Sequence, residues 1–465
     1  MSQPLLAQCI LQLFARFFQH GSDVQLAAQT RCCGWRDRLQ LQLKNANSAQ
    51  ALEMLDKTWQ GIQALPDAQA RDKALWEVLL ELDAQFAAIH PRYAMTKAGR
   101  SRSSLAPWLK EMKQQRENHG FYAESQAHRL IARGPLLKNS RLQEHACAVD
   151  SAACFAHLSL AERVYTFQKR KIATQQCCYG MNDSGVFDIS PQPVLCLMPL
   201  ARQAGDLVQT PGAIGEMPSM DYRLAPHLHA AELIWQGLQE GLRSHAKLDL
   251  AMAPELLVSA AHAQDLQNKL SAAPAPLRLL VAGSGHSETP NAQGLHWNET
   301  RVLNHRGKVL WRQRKIWLAA SDGHYEHNAG GDAITIADLD GFGRCLVLIC
   351  QDCKLEFLTS LIADWQPDWL FIPILDREAN TGRWAHQQAF NLSEVSAARI
   401  VVLSSLALGT EAPPSAKDCA LLQCPKNPTP PDQARARTTV KLPNDAAQAA
   451  TFIWNSASWM QTKLN

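Results

Sequence analysis

In the first third of the chain, apolar positions return every three or four residues. Leu5, Ile10, Leu13 and Phe17 make one stripe, and Ala51, Leu55, Trp59 and Ile62 make another behind the capping residue Ser48. Ala74, Val78, Leu82 and Phe86 make a third, which Pro91 stops. Such spacing lines one face of a helix and so predicts a helix at each stripe. Ser159 and Glu162 stand at capping-box spacing ahead of Val164–Ile172 and extend the helical reading. Residues 1–178 are therefore expected to form an all-α domain, and the lack of a fixed-period repeat argues against a helical solenoid.

The period changes further on. Residues 179–193 are rich in Gly, Asp, Ser and Pro and read as a linker. Beyond them, short apolar runs alternate with helical stretches. Val194–Met198, Leu277–Ala282 and Ile400–Leu403 read as strands, Leu248–Ala253 alternates apolar with small or polar positions, and Cys345–Ile349 and Leu370–Ile372 have the continuous apolar character of buried strands. Helices are expected over 224–242 and 384–398. Trp297–Leu303 and Lys308–Arg312 flank the turn Asn304-His305-Arg306-Gly307, a hairpin signal. The alternation predicts an α/β domain over residues 194–455. Two segments, Met198–Tyr222 and Asp376–Arg383, match no pattern and read as long loops.

Composition adds a bound and charge adds a contrast. The 465 residues are 46% hydrophobic and 19% charged, ample for packed cores in two or three domains. The net charge of +3 names no partner by itself, but it divides into +6 over residues 1–190 and −3 over 191–465. Seven basic residues (Arg92, Lys97, Arg100, Arg102, Lys110, Lys113 and Arg116) lie around one acid, Glu111, with Trp108 among them. Basic and aromatic residues interleaved in this way suit a nucleic-acid backbone and its bases. A solvated loop and helix face explains the same charges, and no known nucleic-acid motif frames them.

The 13 cysteines are irregularly placed, including the adjacent pairs Cys32-Cys33 and Cys177-Cys178, so a disulfide scaffold is not expected. Cys350-Gln351-Asp352-Cys353 is the one C-x-x-C, without the second ligand pair of a zinc module or the sequence context of a redox pair. No metal or cofactor is expected. Gly283-Ser284-Gly285 lacks the Lys-Ser/Thr of a phosphate loop. Met1–Phe18 is interrupted by Gln, Cys and Arg16 and is read as an amphipathic helix in place of a signal peptide. No run of apolar residues is long enough to span a bilayer. Together with the cysteine usage this leads to the expectation of a reducing, cytoplasmic location and no membrane partner.

Three reactive side chains fall at the ends of apolar strands, where a sheet presents groups to a pocket. Glu255 follows Leu248–Ala253 and Pro254, Lys315 follows the hairpin, and Cys350 follows Cys345–Ile349. A carboxylate, an amine and a thiol supply a base, an oxyanion stabiliser and a nucleophile. Each alone has a plain structural explanation, whereas the ordered set does not. Cys345 and Cys353 read as packing residues. His227, His229 and His296 are weaker candidates for substrate contacts.

In these segments the sequence resembles the carbon–nitrogen hydrolase, or nitrilase, superfamily. The resemblance is carried by Met252-Ala253-Pro254-Glu255-Leu256, Val281-Ala282-Gly283-Ser284, Trp297-Asn298-Glu299-Thr300, the run from Asn304 to Leu318 that contains Lys315, Gly343 to Asp352 around Cys350, and Ala397 to Ser404. It covers residues 194–455 and nothing in 1–178. It implies an α-β-β-α sandwich, a Glu255-Lys315-Cys350 triad and a homodimer or larger assembly. A second active-site glutamate is common in the family. Glu326, in His324-Tyr325-Glu326-His327 before Gly330-Gly331, is the candidate here, on a loop that departs from the commoner forms. Asp352 matches an acid of structural role.

The implied reaction is hydrolysis of a non-peptide carbon–nitrogen bond in a small amide or nitrile through a thioester on Cys350. The alternative is a regulatory or interaction protein, whose basic N-terminal domain binds nucleic acid or a protein partner and controls the hydrolase domain.

Overall fold

The computed structural model describes residues 5–20, 34–94, 105–134, 136, 155–180, 192–321, 323–376, 388–396, 398–407, 417–423, 437–442, 449–454 and 459–462. Most of the 179–193 linker, the Cys32-Cys33 pair, residues 95–104 of the basic stretch and residues 377–387 lie outside the described residues. Helices occupy Leu5–His20, Ser48–Gln63 and Ala68–Phe86, where the three stripes place them. The cap before the second is Asn47 and not Ser48, closing a reciprocal capping box with Gln50.

Strands follow in the order β1 (Ala123–Glu124), β2 (His128–Ala132), β3 (Leu158–Glu162), β4 (Val164–Phe167), β5 (Arg170–Tyr179), β6 (Val194–Leu197), β7 (Leu207–Ile214), β8 (Met217–Leu224), β9 (Leu248–Met252), β10 (Leu277–His286) and β11 (Asn298–Leu303). They continue as β12 (Val309–Arg314), β13 (Ala320–Ser321), β14 (His324–Glu326), β15 (Ala333–Leu339), β16 (Gly343–Val347), β17 (Trp369–Pro373), β18 (Arg399–Leu403), β19 (Lys417–Gln423), β20 (Arg437–Leu442), β21 (Ala450–Trp454) and β22 (Trp459–Thr462).

Two large sheets result. One has the order β12-β11-β10-β9-β6-β21-β22, the other β20-β19-β18-β17-β16-β15-β5-β4. A four-stranded sheet, β13-β14-β8-β7, and a three-stranded one, β1-β2-β3, complete the set. Side chains alternate across a strand, so one strand can serve two cores. Leu195, Leu197, Leu250, Met252, Leu279 and Val281 of the first large sheet share a buried core with Ile336, Leu346, Leu370 and Phe371 of the second. The intervening Cys196, Ala251 and Leu280 instead meet Ile234, Leu238, Leu266 and Leu270 of the helices Ala230–Ser244 and Ala260–Ala272.

The expectation of an all-α region through residue 178 does not hold, because β1 to β5 lie within it, between Ala123 and Ala132 and between Leu158 and Tyr179. The capping-box spacing of Ser159 and Glu162 is coincidental. Tyr165 and Phe167 are buried while Val164 and Thr166 face outward, a period of two and not of 3.6. Gln168 and Lys169 both take positive φ, 47° and 66°, which turns the chain back at once. β5 then pairs in parallel with β15 from Ala173↔Ala333 to Tyr179↔Leu339, inside the second large sheet. The predicted loop Met198–Tyr222 holds most of the β7–β8 hairpin, which runs to Leu224, and the helix expected from Leu224 begins at Ala230.

Two members of the basic stretch are core residues. Trp108 is fully buried, with its indole N–H donated to the carbonyl of Leu43. Arg116 is buried against Asp338 at 3.2 Å. Neither is available to stack on a base or to meet a phosphate. Asp338 also receives Arg344 at 2.7 and 3.1 Å, and Arg344 donates to the carbonyls of Ala132 and Trp365. This buried network ties the N-terminal residues to β15 and β16. No described helix is long and apolar enough to cross a membrane.

Removing one partner of a buried ion pair leaves the other charge unpaired. Arg344→Met should therefore lower unfolding stability by about 3–5 kcal/mol. Urea denaturation followed by near-UV circular dichroism and by fluorescence measures this, and both signals should report one shifted transition.

Candidate active site

The four residues singled out in the sequence come from four different places in the fold. Glu255 leaves the end of β9 through Pro254. The chain there lies so close to β10 that a Cβ on Gly283, itself at φ 73°, would be 2.4 Å from the Pro254 carbonyl oxygen. Leu256 adopts φ 65°, uncommon for a residue with a branched side chain, and its N–H donates to Ser284 Oγ at 3.2 Å. This turn aims the Glu255 carboxylate inward. Its Oε1 accepts from Asn298 Nδ2 at 3.0 Å, and its Oε2 from the Leu375 N–H at 2.9 Å.

Lys315 directly follows β12. Its own N–H donates to the Asn298 carbonyl, and its carbonyl accepts from the Gly331 N–H at 2.7 Å. No part of the side chain is exposed. Nζ lies 2.7 Å from Glu255 Oε1 and 2.5 Å from Glu326 Oε1. Glu326 ends β14, and its Oε2 accepts from the Ala319 N–H at 3.3 Å. The structure thus brings Glu255, Lys315 and Glu326 into direct contact.

Burial alone would push the Lys315 ammonium toward its neutral form, but Glu255, Glu326 and Cys350 outweigh it and hold the group well above the ordinary lysine range. Burial pushes the Glu326 carboxyl up to about 7, against the pull of Lys315. One cation thus serves two carboxylates, and with two of its three protons directed at them it retains a third for another acceptor.

Cys350 follows β16 by three residues and opens the 3₁₀ turn Cys350–Lys354. Its φ is 47°, a strained value for a residue with a Cβ, and the thiol-bearing residue is only 4% exposed. Cys350 is close enough for its charge to act on Lys315. Cys345 and Cys353 are buried, and desolvation holds both thiols well above the ordinary range, as expected of packing residues.

Asp352 couples the cysteine turn to the lysine turn. Its Oδ1 accepts from the N–H groups of Ile316 and Trp317 at 3.0 and 2.8 Å, and its Oδ2 from that of Ile349 at 3.3 Å. Burial pushes its carboxyl up to about 7 against these three donors. The sequence marks its position as structural; which segment it holds is decided by chain returning from elsewhere in the fold. Asn298, whose amide steadies Glu255, appears in the sequence only as part of a matching segment.

A cavity of about 560 Å³ opens beside the Glu255 turn, with Leu224, Leu256 and Leu257 on its apolar side and Arg223, His286 and His296 on its polar side. Glu255, Lys315, Cys350 and Glu326 do not line it. His296 uses Nδ1 on the Ser287 carbonyl, while His227 and His229 lie near Asp206 and Asp265. Among the described residues, no three His, Cys, Asp or Glu side chains are grouped to hold a metal ion.

No known sequence family and no curated protein matches this chain. Among solved structures, it is similar to Nit3 of Saccharomyces cerevisiae, a member of branch 10 of the nitrilase superfamily, at 14% identity over 55% of this chain and 91% of that one, with a TM-score of 0.37. It is similar to glutamine-dependent NAD+ synthetase of Acinetobacter baumannii at 13% identity over 57% of this chain and 46% of that one, TM-score 0.38. An amidase of Nesterenkonia sp. matches at 16% identity over 56% of this chain and 94% of that one, TM-score 0.35. Each of the three covers a little over half of this chain.

Asp352→Asn keeps the shape of the side chain but replaces one acceptor oxygen by an NH2 group facing backbone donors. Buried groups left unmatched in this way cost about 1–3 kcal/mol. Thermal melting should register the loss, and alkylation of Cys350 by iodoacetamide, followed by peptide mass spectrometry, should slow relative to the parent chain.

Proposed function

We propose that this protein is a carbon–nitrogen hydrolase of the nitrilase type that acts on a small amide through a Glu255-Lys315-Cys350 triad, with Glu326 as the second active-site glutamate. The observation that carries the reading is the buried contact of Lys315 with both glutamates beside the Cys350 turn. An ammonium ion withdrawn from water and held by two carboxylates is costly to build for packing alone. The two large sheets sharing one core, with helices on the outer face of the first, support an α-β-β-α sandwich. The hydrolase unit then comprises residues 194–455 together with β4 and β5.

Catalysis begins when Glu255 takes the proton of the Cys350 thiol as Sγ attacks the amide carbon. The Lys315 ammonium and a backbone N–H at the Cys350 turn stabilise the resulting oxyanion, an effect worth about 2.7–4 kcal/mol per donor. The carbon–nitrogen bond breaks, the nitrogen leaves as ammonia with the proton carried by Glu255, and a thioester remains on Cys350. Glu255 then removes a proton from water as the water attacks the thioester, and the acid departs as the thiol is restored. Glu326 keeps Lys315 charged and aimed. A nitrile would enter by the same attack on its carbon.

Ammonia release across a panel of amides, carbamoyl compounds and nitriles tests this reading. Cys350→Ala should reduce release from every accepted substrate to the background rate, and retained turnover in that variant would refute the triad. Because the ionised form of Glu326 is the one that accepts from Lys315, kcat/KM should fall as pH drops below about 7, the value to which burial raises this carboxyl. A profile flat from pH 5 to 8 would contradict that assignment.

A further inference from the structure

The segment that carries Glu326 leaves the Lys315 turn at Ile316 and returns to it at Gly331. Both ends are held by one side chain from a distant part of the sequence. Arg170 opens β5 immediately after the tight Gln168–Lys169 turn. Its Nη1 donates to the Ile316 carbonyl at 3.4 Å, and its Nη2 donates to the carbonyls of Gly330, at 3.2 Å, and Gly331. Gly331 in turn donates its N–H to the Lys315 carbonyl. A Cβ on Gly330 would lie 2.8 Å from Arg170 Nη1, so the glycine admits the guanidinium. Beside this contact, Phe167 of β4 packs on Trp317, ring centroids 4.9 Å apart. The N–H of Trp317 is one of the three that Asp352 holds.

We propose that Arg170 is a positioning residue of the active site: it closes the segment 316–331 at its two ends and so sets where Glu326 meets Lys315. The β4–β5 hairpin, which precedes the linker, is on this view part of the catalytic apparatus. This inference rests on the proposed hydrolase reading. A planar guanidinium with a rigid fork of donors suits carbonyls arriving from two directions, whereas a lysine presents a single point charge. Arg170 lies at the surface and fills no core, so its loss leaves the folded state in place. The groups facing Glu326 are Lys315 and Glu255. A loosened segment lets water reach the Glu326 carboxyl and moves it back toward the ordinary range.

The test compares Arg170→Ala and Arg170→Lys with the parent in the full-length chain, on whichever amide the parent hydrolyses. In the alanine variant kcat should fall about 10²-fold with KM nearly unchanged, the scale expected of a misplaced catalytic group. The acid limb of the pH–rate profile should move to lower pH, the melting temperature should stay within a few degrees, and millimolar guanidinium should restore part of kcat. The lysine variant should lie between the other two and gain nothing from guanidinium. An alanine variant with parental kcat and an unmoved acid limb overturns the inference, as does a loss of kcat that follows a fall in melting temperature and is not rescued. Should the parent hydrolyse no amide, the hydrolase reading fails separately. The rate of Cys350 alkylation by iodoacetamide against pH then decides for Arg170: a profile altered in Arg170→Ala and restored by guanidinium supports it, and one identical to the parent refutes it.

Discussion

An ammonium ion cut off from water keeps its charge only if its surroundings supply the opposite one. Lys315 is in that position, and the fold surrounds it with Glu255 from the end of β9 and Glu326 from the end of β14. These carboxylates come from different sheets, so their meeting at one nitrogen constrains both sheets at once. Much of the remaining geometry reads as support for that meeting. Asn298 and the Leu375 N–H hold one carboxylate, Ala319 holds the other, and Asp352 holds the backbone on which the lysine stands. A surplus of negative charge around a single cation has a chemical use as well. In the mechanism proposed above, it leaves one carboxylate able to take up a proton without discharging the lysine, as a base beside an oxyanion stabiliser must.

The residues that meet at Lys315 were more legible in the sequence than the architecture around them. The run Cys345–Ile349 is apolar on both faces, a pattern that buried strands require, and a reactive residue at the end of such a run is conspicuous. Residues 158–179 were not legible as strands, because Ser159 and Glu162 imitate a helix start and the alternation through Val164, Tyr165, Thr166 and Phe167 is only four residues long. β7 and β8 were missed for another reason. Most of β7 is exposed on both faces, with Pro211 and Gly212 in its middle, so no hydrophobic period marks it. Its place is fixed instead by pairing with β8, which also pairs with the strand carrying Glu326.

Long-range polar contacts were the least legible of all. Nothing local distinguishes Arg170 from Lys169 or Lys171 on either side of it, and its partners lie some 150 residues away. The same limit applies to Trp108 and Arg116. Counted along the chain they belong to a basic, aromatic cluster, but the helix Pro107–His119 turns both inward, one to a backbone carbonyl and the other to a carboxylate of β15. A charge balance taken over a stretch of sequence describes a surface only after the inward-facing members have been removed from it.

The place of β5 also has a consequence for how the chain is made. It lies between β4 and β15, and its partner begins at Ala333, more than 150 residues later. A ribosome adding about 5–20 residues each second reaches that partner on the order of ten seconds or more after β5 has emerged. Through that interval the hairpin presents an unpaired edge with Tyr165, Phe167 and Ile172 uncovered, the kind of surface that invites association with other chains. The benefit of holding the 316–331 segment from the β4–β5 hairpin therefore carries a kinetic hazard during synthesis, and nascent-chain chaperones should act on this chain at residues 164–179.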